Sequence, residues 1–189
     1  ETFDLDGCGV ALQVAKQQQR GAERDSRIEQ LTAQLADAER RVAEATSEIR
    51  LRERATLIRL ARAGEYRDEE TGNHVIRMAK YSRVIAEELG YPKYEADIIE
   101  MAAPMHDIGK IGVPDRILLK PGKLDTHERS VMMQHARIGY DILRDSPSQY
   151  LQFGATIAWC HHEKYNGEGY PRGLQGSAIP IEARIVAIA

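Results

Sequence analysis

Cysteine is nearly absent: the chain has only Cys8 and Cys160, far apart and in no CxxC pair. Nothing here supports a disulfide framework, and free thiols in a reducing compartment are expected. No run approaches the roughly 18 to 20 apolar residues of a membrane span, and no charged-then-apolar leader opens the chain, so a cytoplasmic location is the default expectation. A basic excess is missing too. The net charge of -3 argues against broad binding to long nucleic acid, yet leaves room for a small phosphorylated ligand held by a local cluster. Alternation of period two is not found, so the fold class expected is all-α. Neither Pro nor Gly occurs between Ala22 and Ala63, which predicts one continuous helix there. The chain also lacks an initial methionine, and it closes in the apolar run from Ile185 to Ala189 with no Gly, Asn or Pro to end a helix. A piece of a longer protein is expected.

The 189 residues suit one domain plus an appendage. A hydrophobic content of 42% is compatible with a packed core, and 29% charged residues is slightly high for a compact domain, so part of the charge belongs on an extended helix. Residues 1–20 are poorly patterned, and Gly7 and Gly9 discourage a helix; they read as a tail or the remnant of a preceding domain. In residues 21–54 a seam emerges. Ile28, Leu31, Leu35, Ala38, Val42, Ala45 and Ile49 alternate at spacings of three and four, the a/d pattern of a coiled coil. The narrow stripe and charged flanks favour a parallel homodimer over a solitary amphipathic helix. After Ile49 the seam lapses at Arg52 and Thr56, and Leu57, Ile58, Leu60 and Ala61 announce a globular domain over residues 55–189.

That domain reads as helices joined by turns. Residues 74–89 carry Val75, Met78, Ile85 and Leu89 on one face and are closed by Gly90 and Pro92. Residues 93–105 are mostly apolar, with a kink expected at Pro104. Residues 109–124 read as a loop. Asp125 and Glu128 make a capping box for a helix carrying Val131, His135, Ile138 and Ile142. A further helix is expected from Pro147 to near His162, followed by a Gly-rich loop over 167–176.

Two short runs hold paired donors: His106-Asp107 and His161-His162. Neighbours on a helix project about 100° apart, so such a pair does not close on one ion unless the backbone turns; two adjacent ions suit it better. Glu70 and His74 are four apart, a spacing that taken alone is common on exposed helices. His135 taken alone reads as a hydrogen-bonded core histidine. Together, however, five of the six histidines lie near other potential ligands, and a shared metal centre explains them more simply than five separate structural roles. His127, just behind the cap, reads as surface. Imidazole with carboxylate and no clustered thiolate suits iron, manganese or zinc and disfavours an iron-sulfur centre. Two such ions lower the pKa of a water towards about 7 and hold a phosphate oxygen. Lys110, Arg116, Lys120 and Lys123 face only Asp107 and Asp115 over residues 106–123, so a metal-bound Asp107 leaves a cationic loop fit for phosphate. Cys160 reads as a small buried residue beside Trp159 rather than as a ligand.

From about residue 55 to 189 the chain resembles the HD-GYP subgroup of HD-domain phosphohydrolases, the bacterial cyclic di-GMP phosphodiesterases. The resemblance rests on an ordered set. It begins with Arg67-Asp68-Glu69-Glu70-Thr71-Gly72-Asn73-His74, continues through HDIGKIGVPD from His106 to Asp115 and KPGKL from Lys120 to Leu124, and includes His135. It ends with HHEKYNGEGYP from His161 to Pro171 and Ala183-Arg184-Ile185. It implies His74, His106, Asp107, His135, His161 and His162 as metal ligands, with Asp107 bridging two ions and Glu70 added where a third is held. Iron or manganese is implied ahead of zinc. It implies that Lys110 contacts the scissile phosphate and assists the leaving oxygen. Gly169, Tyr170 and Pro171 would form a loop tied to substrate access and to contacts with GGDEF cyclase domains. The family also places an Asp ligand just after the run that ends this chain at Ala189.

The expectation is therefore a coiled-coil linker feeding an HD-domain helical bundle, the output half of a dimeric response regulator or sensor with an upstream sensor or receiver domain. It would cleave cyclic di-GMP to linear pGpG, GMP or both. Two rivals stand beside it: a non-catalytic module that binds cyclic di-GMP or a GGDEF partner, and a phosphohydrolase for another nucleotide.

Overall fold

The computed structural model describes residues 5–66 and 73–189, with side chains for residues 13–66 and 74–189. Among the described residues the architecture is all-helical, and one isolated bridge, Asn166 with Gln175, is the only extended pairing. The helices are α1 (Leu5–Glu65), α2 (Asn73–Glu88), α3 (Lys93–Ala102), α4 (Asp115–Leu118), α5 (Thr126–Leu143), α6 (Gln149–Cys160) and α7 (Ile181–Val186). Short 3-10 turns cover Ala103–Met105, Ile108–Gly112 and Gly176–Ala178. The chain divides into two compact units, Glu1–Arg52 and Glu53–Ala189.

The first unit is helical from Leu5, including Gly7 and Gly9, where no helix was expected. Each glycine costs about 1 kcal/mol relative to alanine, but extending an established helix needs no new nucleus. Exposed pairs at helical spacing line this segment: Arg40 with Asp37 and Glu44, and Arg52 with Glu48. Ile28, Leu31, Leu35, Val42 and Ile49 are 49–66% exposed on the single chain, so the apolar seam has no cover of its own.

In the second unit the last turns of α1 bury Leu57 and Ala61 in a core with Val75, Met101, Met105, Ile108, Leu143, Ala155 and Ala158. Burying such an aliphatic side chain contributes roughly 1.5–3 kcal/mol. Ser148, the N-cap of α6, donates to Glu53 at 2.5 Å, tying the start of α6 to α1. α2 pairs with α3, α5 with α6, and the turn Ile108–Gly112 lies on α5. α3 gives way at Ala103 to a 3-10 turn because Pro104 has no N–H to continue the ladder. α5 opens on the predicted capping box: Asp125 accepts from the Glu128 backbone at 2.8 Å, and Glu128 accepts from the Asp125 backbone at 2.9 Å.

Two local expectations are corrected. Residues 109–124 are not all loop, since Pro114 leads into the short α4 and Ile108–Gly112 is 3-10. α6 starts after Ser148 rather than at Pro147.

Candidate metal centre

The His106-Asp107 pair sits where the backbone turns. His106 closes the turn Ala103–Met105, and Asp107 takes φ -105 and ψ 8, outside the helical region, before the next 3-10 turn starts. This break brings two neighbouring side chains together, with His106 Nε2 3.2 Å from Asp107 Oδ2. On its other side Asp107 Oδ1 meets His135 Nε2 from α5 at 3.3 Å and His161 Nε2 from the end of α6 at 3.5 Å. Donor atoms of Asp107, His135, His161 and His162 all lie within 4.8 Å of one another. Lys110 Nζ stands 2.9 Å from Asp107 Oδ2.

Backbone carbonyls aim three of these rings. His106 Nδ1 lies 3.2 Å from Ala103 O, His135 Nδ1 2.7 Å from Met132 O, and His161 Nδ1 3.1 Å from both Ile157 O and Ala158 O. A carbonyl only accepts, so each Nδ1–H donates, which leaves Nε2 as the nitrogen free to present a lone pair to a metal. Those lone pairs converge on a carboxylate, and His135 Nε2 faces His161 Nε2 at 3.4 Å. Asp107 Oδ1 is buried and, among the described residues, accepts no hydrogen bond. The Lys110 ammonium meets Oδ2, whereas a buried Oδ1 faced by ring nitrogens is unfavourable unless a cation lies among them, so these donors fit a divalent ion.

The electrostatics agree. Burial pushes the Asp107 carboxyl up, but the imidazoles of His106, His135 and His161 beside it hold it far below the usual carboxylate range. Burial pushes His106 down, and the contact with Asp107 outweighs it and raises the pKa. His161 is lowered, mainly by burial. His162 falls to about 3 through burial and the neighbouring His161 and His135, so it is neutral at neutral pH, the form that ligates.

The remaining predicted residues are placed as follows. His74, half-buried on α2, is edge-on to His106 with ring centroids 6.3 Å apart. Glu70 lies outside the described residues. The Lys120 ammonium is engaged by Glu128 at the α5 cap. His127 is exposed and Cys160 is buried as a free thiol. Tyr170 stacks on His162, centroids 4.5 Å apart and planes at 23°, and burial with the Asp107 charge pushes its phenol up to about 12. Gly169 touches the chain so closely that a Cβ would lie 2.2 Å from Lys164 N.

Sequence reasoning passed over two residues. Glu163, directly behind the histidine pair, is buried and accepts from the backbone N–H groups of Arg172 and Leu174. Gly109 lets its turn lie directly on α5. The available signal was position: each adjoins a ligand pair.

A helical domain with a buried imidazole and carboxylate cluster around one aspartate is a metal-binding domain of the histidine-aspartate class. Residues 16–189 match the family model described as HD domain, and the chain belongs to that family, in its HD-GYP branch. Among curated relatives, the cyclic di-GMP phosphodiesterase response regulator RpfG of Xanthomonas campestris is 48% identical over 182 residues, 96% of this chain and 46% of that protein. A cyclic di-GMP phosphodiesterase of Thermotoga maritima is 54% identical over 125 residues, 66% of this chain and 34% of that protein. The 3'3'-cGAMP-specific phosphodiesterase 2 of Vibrio cholerae is 49% identical over 130 residues, 69% of this chain and 25% of that protein. The chain thus spans less than half the length of each of these relatives.

Proposed function

We propose that this domain hydrolyses a phosphodiester bond of cyclic di-GMP, releasing linear pGpG, GMP or both. The observation that carries the reading is the convergence of three Nε2 atoms and Lys110 on Asp107, whose buried Oδ1 accepts no hydrogen bond among the described residues. His106, Asp107, His135, His161 and His162 would hold two divalent ions, iron or manganese before zinc, with His74 and Glu70 completing a third where one binds. Such ions, when bound, supply Lewis-acid charge and a water acidic enough to attack at neutral pH. The chain's own residues do the rest. The Lys110 ammonium, now on Asp107, reaches the scissile phosphate, neutralises its charge and gives a proton to the departing ribose oxygen. Tyr170, with Gly169 and Pro171, bounds the approach to His162. The names of the relatives supply the base identity, which the cluster itself does not select.

The test is the rate of cyclic di-GMP cleavage by metal-loaded protein against His106→Ala. A loss of at least about 100-fold is expected, the scale of removing one ligand or its support; equal product from both would sink the assignment. The 49% identity to a 3'3'-cGAMP-specific enzyme favours a second reading, hydrolysis of that mixed dinucleotide, so both substrates belong in the assay.

The exposed seam supports a parallel coiled-coil homodimer over residues 21–54, with residues 55–189 as the output domain. β-branched Ile28, Val42 and Ile49 at a positions favour two strands. Light scattering at micromolar concentration is expected to give twice the monomer mass; a monomer would remove this part of the reading. No helix among the described residues is long and apolar enough to cross a membrane. A cytoplasmic protein with an upstream sensor or receiver domain, and a GGDEF protein docking on the Gly169-Tyr170-Pro171 loop, complete the proposal.

A further inference from the structure

His162 differs from the other histidines of the cluster. Backbone carbonyls fix the rings of His106, His135 and His161 through Nδ1. Among the described residues no hydrogen bond holds the His162 ring; ring contacts do. His161 lies 4.0 Å away and His135 5.0 Å, and Tyr170 stacks on it at 4.5 Å with planes only 23° apart. The orientation of this donor therefore depends on where Tyr170 sits.

Tyr170 belongs to a loop with little regular structure, and a buried carboxylate grips the segment that follows it. Glu163 is 6% exposed, and its two oxygens accept from the backbone N–H groups of Arg172 at 2.7 Å and Leu174 at 2.8 Å. These residues follow directly on Tyr170-Pro171. Ahead of them Gly169 packs against Glu163 itself, where a Cβ would lie 2.4 Å from Glu163 Cα, and the Tyr170 backbone donates to His162 O at 3.2 Å. The Arg172 guanidinium lies 4.6 Å over the Trp159 ring, a second tether on the same side of the loop. A charged acceptor gripping two N–H groups is stronger than a neutral one and defines a direction as well as a distance.

We propose that Glu163 is a positioning residue of the metal centre: by pinning Arg172 and Leu174 it fixes the loop that lays Tyr170 on His162, doing for His162 what backbone carbonyls do for the other three rings. The inference rests on the metal-centre reading above. Glu163 touches neither metal nor substrate; it acts through Tyr170.

The test is a double-mutant cycle of Glu163→Gln and Tyr170→Ala, read as the dissociation constant for Mn²⁺ by electron paramagnetic resonance of the free ion. Glutamine keeps the size and one acceptor oxygen but turns an NH₂ towards a backbone N–H. Each single variant is expected to weaken Mn²⁺ binding about tenfold, the lower range for supports behind a ligand. The double variant is expected to bind no more weakly than Tyr170→Ala alone, because both act through one contact. Multiplying effects, or a Glu163→Gln protein that binds Mn²⁺ like wild type, would overturn the proposal. Should Glu163→Gln not fold, hydrogen exchange in the wild type decides: the amides of Arg172 and Leu174 are expected among the slowest of the loop, and exchange at the rate of unprotected amides would overturn it. A wild type that binds no Mn²⁺ overturns the metal-centre reading and this inference with it, whereas a binding wild type with uncoupled variants overturns this inference alone.

Discussion

Asp107→Asn is expected to lose at least about 10³-fold in phosphodiesterase rate and most of the bound metal, and to melt below the wild type in metal-free buffer. Asp107 is the point on which His106, His135, His161 and Lys110 converge, and its carboxylate is the only anion among those contacts. Asparagine keeps the shape but removes the charge, so the donor set loses the anion that offsets a dication. A 10³-fold loss corresponds to about 4 kcal/mol of barrier, the size of effect expected when metal chemistry is withdrawn. The metal-free fold is weakened as well. The carboxylate pairs with the Lys110 ammonium at 2.9 Å and is held far below the usual carboxylate range, so its charge stabilises the folded state at neutral pH, and asparagine removes that contribution. The melting temperature without metal is therefore expected below that of the wild type. Metal analysis of the purified proteins and steady-state rates with cyclic di-GMP check the first half, and a thermal scan in chelator checks the second. Retained metal with a rate within tenfold of wild type would remove Asp107 from the centre of the mechanism.

What was legible in the sequence divides along a physical line. Features set by neighbours in the chain could be read: the box of Asp125 and Glu128, the end of α2 shortly before Gly90, and the break at Pro104 that precedes His106. The cluster was legible because its donors come in adjacent pairs, and because the one requirement the sequence posed, a backbone turn between them, is met by the conformation of Asp107. Features set by what another segment brings close could not be read. Glu163 looked like one more polar residue in a polar run, and only the return of Arg172 and Leu174 makes it a buried anchor. Lys120 looked like a phosphate contact, yet Glu128 engages it. Helix in α4 and through Gly7 and Gly9 was missed for another reason: composition penalises both stretches locally, and context outweighs the penalty. The seam of α1 was readable as a pattern, and its apolar residues lie exposed on the single chain.

The most damaging single methyl group should be the one added at Gly109. A Cβ there would lie 1.9 Å from His135 O, 2.4 Å from Gly139 N and 2.9 Å from His135 C. All three are backbone atoms of α5, so no side-chain rotation relieves the clash; the turn Ile108–Gly112 must lift off the helix. Lifting it carries Asp107 away from His135, whose separation is 3.3 Å, so the site opens with the core. Gly109→Ala is expected to lower unfolding free energy by about 3–5 kcal/mol, the range of severe overpacking, and to abolish cooperative metal binding. Gly112→Ala is the matched control in the same turn. Its Cβ would meet only Ile138 side-chain atoms, the nearest at 2.9 Å, and these can shift, so a loss below about 1.5 kcal/mol is expected. Urea unfolding of both variants beside the wild type measures the difference. If Gly109→Ala unfolds within about 1 kcal/mol of wild type, the turn does not rest on α5 as closely as described, and the route by which Asp107 reaches His135 would have to be sought elsewhere.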